Sequence, residues 1–223
     1  MTQTRGRLRK LVSFWLLIVV VSALALAAFA DVGEDVADLS TGPLDNAVRT
    51  WFLAHQNPVV YKIAYAITWV GSPTVMVLLA VVAAAFFYRR KGRGNAAVVL
   101  AAPATGGLLS VAVKMIFGRA RPAGGLLLNE LGYSFPSGHA ATSAAVMVTL
   151  CYVLARERIL SWPTAILIGG GVPLIVGLTR LYLDVHWMTD VVGGWSVGLF
   201  VAAMSAGLYE FLGARTRAAT DRA

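Results

Sequence analysis

The chain has 223 residues, 58% of them hydrophobic and only 13% charged, with a mean hydropathy of +0.71. A soluble domain of this size carries roughly a quarter charged residues, so the composition excludes an ordinary globular protein and points to a single membrane-embedded domain over residues 1–223. The net charge of +8 does not argue for nucleic acid: the basic residues sit in short clusters between apolar runs, as the positive-inside rule produces.

In chain order, the first apolar run covers residues 11–30, and roughly 20 apolar residues cross a hydrocarbon core of about 30 Å. "RGRLRK" ahead of it and "AFA" before Asp31 also resemble a signal peptide with an Ala-x-Ala site. The run is longer than a signal core, and an uncleaved span is the favoured reading. The next segment, residues 44–72, is neither a clear span nor a plain loop. Val48, Trp51 and Phe52 recur at i, i+3 and i+4, which suits an interfacial amphipathic helix. Pro58 divides it from a second helical piece leading into span two, and "YAITWVGS" is expected to lengthen that span. His55 reads as a solvated or interfacial residue. Further spans are expected at 74–88, 96–117, 140–155, 163–178 and 191–212, making six. Cys151, the single cysteine, lies inside one of them and reads as a small buried residue; alone, it allows no internal disulfide. Gly194 and Gly198 form a GxxxG in the last span, a hint of close helix packing. Trp51, Trp69, Trp162 and Trp187 fall near span ends, as an aromatic belt does.

Charge orients the spans. Arg5, Arg7, Arg9 and Lys10 precede the first; Arg89, Arg90, Lys91 and Arg93 lie between the second and third; Arg156 and Arg158 between the fourth and fifth; Arg215, Arg217 and Arg222 follow the sixth. With an even number of spans these clusters share one side, the cytoplasmic one, together with both termini. The outer side receives Asp31, Glu34, Asp35, Asp38 and Asp45 in an extracytoplasmic or interfacial segment, residues 31–72.

Few charges remain: Lys114, Arg119, Arg121, His139, Arg180, Asp184, His186 and Asp190, all expected at the outer ends of spans three to six. Ionisable groups near membrane depth are expensive and by default mark a functional site. A lone Lys or Arg reads equally well as a snorkelling anchor, but separated cations joined by two histidines do not. Cations without matching carboxylates ask for an anion, and the forked donors of Arg match phosphate oxygens. His186 and Asp190 are four apart and share a helix face; an Asp beside a His fixes its tautomer and leaves the other ring nitrogen to attack or exchange protons. His139 is a second group that titrates near neutral pH. Two histidines in a cationic cradle suit phosphoryl transfer. Two His and an Asp also suit a metal, yet Lys114, Arg121 and Arg180 would repel a cation, so neither metal nor cofactor is expected.

"KMIFGRARP" (114–122), "PSGH" (136–139) and "TRLYLDVHWMTD" (179–190) together resemble the three-part signature of the type 2 phosphatidic acid phosphatase family, integral-membrane lipid phosphatases. The motif region, 114–190, covers about a third of the chain. The resemblance implies that His186 takes the phosphoryl group as a phosphohistidine, Asp190 orients it, and His139 protonates the leaving lipid oxygen. It implies that Lys114, Arg121, Ser137, Gly138 and Arg180 hold the phosphate oxygens, Gly138 through its amide, without a metal. Thr179 stands where the pattern usually has Ser. Arg119, Glu130 and Asp184 lie outside the pattern; Arg119 reads as added charge for the cradle or as an interfacial residue. From the residues themselves, Pro136 disfavours helix at Phe135, Ser137 is placed to cap the fourth span, and the amides at the start of that span suit an anion.

The expectation is therefore an all-α, polytopic enzyme of six transmembrane helices in a cell membrane, by composition a bacterial cytoplasmic one, with its active site at the outer face. Expected substrates are lipid phosphates or pyrophosphates: a polyprenyl pyrophosphate, phosphatidylglycerol phosphate or phosphatidic acid. A lipid phosphotransferase would share the phosphohistidine. A small transporter would place its polar groups near the bilayer midplane, whereas here they gather at span ends.

Overall fold

The computed structural model describes residues 2–38, 42–91, 93–123 and 132–220, with side chains for 12–38, 42–90, 93–123 and 132–214. Among these residues there are eight helices and no strand: α1 (Thr2–Ala37), α2 (Pro43–Ala54), α3 (Pro58–Val70), α4 (Pro73–Lys91), α5 (Arg93–Phe117), α6 (Gly138–Arg156), α7 (Trp162–Tyr182) and α8 (Met188–Thr220). Six of them, α1 and α4 to α8, are long and apolar enough to cross a membrane. Proline opens α2, α3 and α4 and occupies the first turn of α7, where its missing N–H costs nothing. Asn57 caps α3 by accepting from the Val59 and Val60 amides.

α6 is the axis of the bundle. In its spanning window 72% of residues are buried, against 17% in α1, and it packs most extensively on α8 and also on α7, α5 and α4. The α6–α8 seam depends on the expected glycine pair. A Cβ on Gly194 would lie 2.6 Å from the Ser137 carbonyl oxygen, and one on Gly198 2.6 Å from that of Ala141, so only glycine lets the two backbones meet. Outward faces carry exposed Leu16, Leu17, Leu108 and Ile116, as a hydrocarbon solvent allows.

The spans run longer than their apolar cores suggest, because polar and charged residues at the ends stay helical. "YAITWVGS" does not lengthen span two: Tyr65–Val70 closes α3, and a turn at Gly71 and Ser72 separates it from α4. The amphipathic helix is present as α2, whose Val48 and Phe52 pack against Leu181 and Val191. Trp51 leaves that face; it is 57% exposed and stacks on exposed His55. Glu130 and the side chains of Arg5, Arg7, Arg9, Lys10, Lys91, Arg215, Arg217 and Arg222 lie outside the described residues.

Candidate active site

The ends of α5 and α7, the starts of α6 and α8, and the short helices α2 and α3 meet at one end of the bundle. α5 stops at Gly118, whose φ of +60° turns the chain while its amide still bonds the Lys114 carbonyl at 3.0 Å. The returning chain pairs there, Ser134 N–H donating to the Arg119 carbonyl at 2.7 Å. Phe135 then plugs the bundle. It is fully buried against Val32 and Val36 of α1, with ring centroids 4.9 Å from Phe117 and 5.6 Å from Phe29. α6 begins at Gly138, and the Ser137 amide donates to the Asp190 carbonyl at 2.8 Å, tying the α6 start to α8. Between α7 and α8 the chain turns at Asp184, φ +53°, a conformation Asp tolerates better than most residues. Arg49 of α2 holds that carboxylate from both sides, at 2.7 and 3.0 Å.

His186 is 4% exposed and Asp190 fully buried. His186 Nδ1 lies 3.2 Å from Asp190 Oδ2. The same oxygen accepts the Trp187 amide at 2.8 Å and the Ser134 hydroxyl, while Asp190 Oδ1 accepts from Arg119 at 2.7 Å. On the far side of the ring, Arg121 Nη1 is 3.0 Å from His186 Nε2. A guanidinium only donates, so Nε2 presents its lone pair and the ring proton sits on Nδ1, toward Asp190. Burial pushes His186 from its ordinary 6.5 down to about 4; Asp190 pulls the other way, and the charges of Arg180 and Arg121 add to the lowering. The imidazole is neutral at neutral pH.

Arg180, 1% exposed, donates to Thr68 Oγ1 at 3.0 Å. With His139 it walls a cavity of about 290 Å³ whose other side is built by Tyr65, Thr68, Trp69 and Ser72 from α3 and the turn into α4. Lys114 Nζ reaches the carbonyls of Tyr133 and Ser134 at 2.5 and 3.2 Å. Ser137 occupies the cap position of α6, but its hydroxyl does not cap it. That oxygen and the Ser110 hydroxyl, which lies near Gly138, are buried without a hydrogen-bond partner among the described residues.

Of the residues singled out in the sequence, Arg121, His186 and Asp190 are in direct contact, Arg180 and His139 share the cavity, and Lys114, Ser137 and Gly138 border them. Thr179 is not among them: its hydroxyl bonds back to the Val176 carbonyl at 2.6 Å. Arg119 is no interfacial residue but a buried one, bonded to Asp190, Thr189 and Asp45. Trp187 leaves the aromatic belt for the site. Its indole lies 5.5 Å from both the Arg49 and Arg119 guanidiniums, and its N–H donates to the Ala120 carbonyl. Ser134, Asp45, Arg49 and Thr68 were not anticipated. The one sequence signal for them is Ser134, in the polar run that leads into "PSGH".

A sequence model of the PAP2 superfamily matches residues 95–213. Phosphatidylglycerophosphatase B of Bacillus subtilis (strain 168) is 32% identical over 169 residues, 74% of this chain and 83% of that one. An undecaprenyl-diphosphatase of Sulfolobus acidocaldarius is 35% identical over 73 residues, 33% of this chain and 32% of that one. Among solved structures, a transmembrane PAP2-type phosphatidylglycerolphosphate phosphatase from Bacillus subtilis superposes with a TM-score of 0.72 at 27% identity, covering 89% of this chain and 95% of that one. LpxE of Aquifex aeolicus shares the fold, with a TM-score of 0.59 at 21% identity over 75% of this chain and 97% of that one. With its six apolar helices, this chain belongs to the PAP2 superfamily and is a multi-pass membrane phosphatase.

Proposed function

We propose that this phosphatase hydrolyses lipid phosphates or pyrophosphates through a phosphohistidine at His186, without a metal. The observation that carries the reading is the orientation of the His186 ring: Nδ1 on Asp190, and Nε2 held 3.0 Å from the cationic fork of Arg121. A phosphoryl group drawn to that fork meets the Nε2 lone pair. Nε2 attacks phosphorus as the bond from phosphorus to the leaving oxygen breaks, and His139 protonates that oxygen. Water then attacks the phosphohistidine, His139 takes its proton, the N–P bond breaks and inorganic phosphate departs. Arg121, Arg180 and Lys114 offset the charge on the phosphoryl oxygens. The buried Ser137 hydroxyl and the first amides of α6 are further donors for them.

The cavity beyond His139 suits the leaving group, since an acid must lie beside the oxygen it protonates. Tyr65 and Trp69 on its wall are 41% and 57% exposed, which suits a path for the tail from the leaflet. The Bacillus subtilis relatives favour a phosphatidylglycerol phosphate, and the shorter match to an undecaprenyl-diphosphatase adds polyprenyl pyrophosphates. Arg89, Arg90, Arg93, Arg156 and Arg158 lie at helix ends opposite the site, and Asp31, Glu34 and Asp35 on the site's side. That asymmetry favours cytoplasmic termini and an active site on the outer face of a bacterial cytoplasmic membrane. The whole chain then acts as one catalytic domain.

Phosphate release from these three lipid classes, measured in detergent with EDTA, tests the mechanism. His186→Ala is expected to lose at least about 10³-fold in kcat and to yield no acid-labile labelled enzyme after quenching with radiolabelled substrate. Retained activity in His186→Ala would sink the nucleophile assignment, and loss of wild-type activity in EDTA would sink the metal-free mechanism.

A further inference from the structure

We infer that Asp45, on the interfacial helix α2, is a positioning residue that cancels the charge of Arg119 and so reserves the charge of Asp190 for His186. The inference rests on His186 being the nucleophile.

Asp45 is 1% exposed and Arg119 9%. Arg119 Nη2 donates to Asp45 Oδ2 at 2.6 Å, and its Nη1 donates to Asp190 Oδ1 and to Thr189 Oγ1, both at 2.7 Å. Asp45 also accepts the Thr189 amide at 2.9 Å and the Thr189 hydroxyl at 2.8 Å. The three charges thus run minus, plus, minus through a buried line that ends at the imidazole. Their sum toward His186 is one negative charge.

The balance matters because cations also face His186 from two further elements. Arg121 faces it from the loop after α5 and Arg180 from α7, while Asp190 of α8 is its carboxylate and Ser134 its neutral neighbour. When Nε2 bonds to phosphorus the ring becomes cationic, and Asp190 must stabilise that charge. Arg119 without Asp45 would offset Asp190 across a 2.7 Å bond, in surroundings where water screens little. The developing charge would then lack its counter-charge. Substrate binding would not suffer, since the net field at the phosphate becomes more positive. Position alone does not explain the device: a neutral acceptor on α2 would hold Thr189 as well, but it would leave Arg119 uncompensated.

The experiment is steady-state kinetics in detergent on Asp45→Asn and on the double variant Asp45→Asn/Arg119→Met, with thermal melting as the folding control and His186→Ala alongside. Asp45→Asn is expected to lower kcat by about 10- to 100-fold with KM unchanged or lower. The double variant restores the line's wild-type sum of one negative charge, now on Asp190 alone, and is expected to fold even if the single does not. Its kcat is expected to return to within about tenfold of wild type. A folded Asp45→Asn with kcat within twofold of wild type, a rise in KM in place of the fall in kcat, or a double variant as slow as His186→Ala would each overturn the inference. His186→Ala separates the two readings: if it stays active the nucleophile assignment fails, and if it is dead while Asp45→Asn matches wild type only the role of Asp45 fails.

Discussion

The bundle has a polar network at each end, and the two differ in kind. Opposite the site, Arg156 grips Glu210 through two bonds, Tyr152 donates to Glu210 at 2.9 Å, and Tyr209 and Asn95 donate to Glu157 at 2.6 and 2.8 Å. There a guanidinium, two hydroxyls and an amide converge on two carboxylates. At the site end Lys114 and Arg121 donate to main-chain carbonyls and Arg180 to the Thr68 hydroxyl, while Arg119 joins Asp45 and Asp190. Side chains of helices α5, α6 and α8 and the α6 cap make the first network, whereas loops and helix ends make most of the second. A network whose donors and acceptors match ties helices together. In the proposed mechanism the second network holds the phosphoryl oxygens.

Substitutions separate the two. Arg180→Gln is expected to cost about 10²- to 10³-fold in kcat/KM in a phosphate-release assay, since it removes one of the cations proposed to hold the phosphoryl oxygens. A smaller loss than that of a substitution at the opposite end would erase the distinction. The pH dependence sharpens it further. Because His186 is held down to about 4, Nε2 keeps its lone pair well below pH 6, and the acid limb of kcat/KM should fall near pH 4 rather than at the ordinary 6.5 of histidine. The sign for stability follows: between those values the unfolded chain binds the proton that the folded one refuses, so stability rises with pH across that window. A melting temperature at pH 4.5 equal to that at pH 7 would contradict it. The smallest effect belongs to Glu210→Gln, expected to lower stability by about 1 kcal/mol in a melting experiment while leaving kcat and KM as in wild type.

What the sequence made legible has a physical pattern. Spans were readable because about twenty apolar residues in a row have few alternatives to a membrane helix, and the glycine pair of α8 was readable because its spacing implies contact. His186 and Asp190 were readable as a pair from their spacing of four, but they do not share a helix face: α8 begins at Met188, and His186 reaches Asp190 from the turn before it. Asp45 was not, because its partners Arg119 and Thr189 lie 74 and 144 positions away, and in one dimension it is one more acid in an acidic segment. Arg119 could not be told from an interfacial anchor until α2 was seen to lie over it. Trp187 misled for the same reason: a tryptophan at a span end fits a belt, and only the two guanidiniums beside its ring place it in the site. Local periodicity carries information about one helix, while a charge relay is written across several.

Phe135 shows where the working unit of this enzyme begins. The family match starts at residue 95, and a chain cut there would keep every signature residue. Yet the plug set between Ser134 and the start of α6 rests on Phe29, Val32 and Val36 of the first helix. Removing that helix would pull the backstop from behind the loop that places Ser134 against Asp190 and Lys114 against the loop carbonyls. Shared ancestry therefore marks one boundary and mechanical support another. A minimal catalyst trimmed to the first would be a complete set of parts without the wall they lean on.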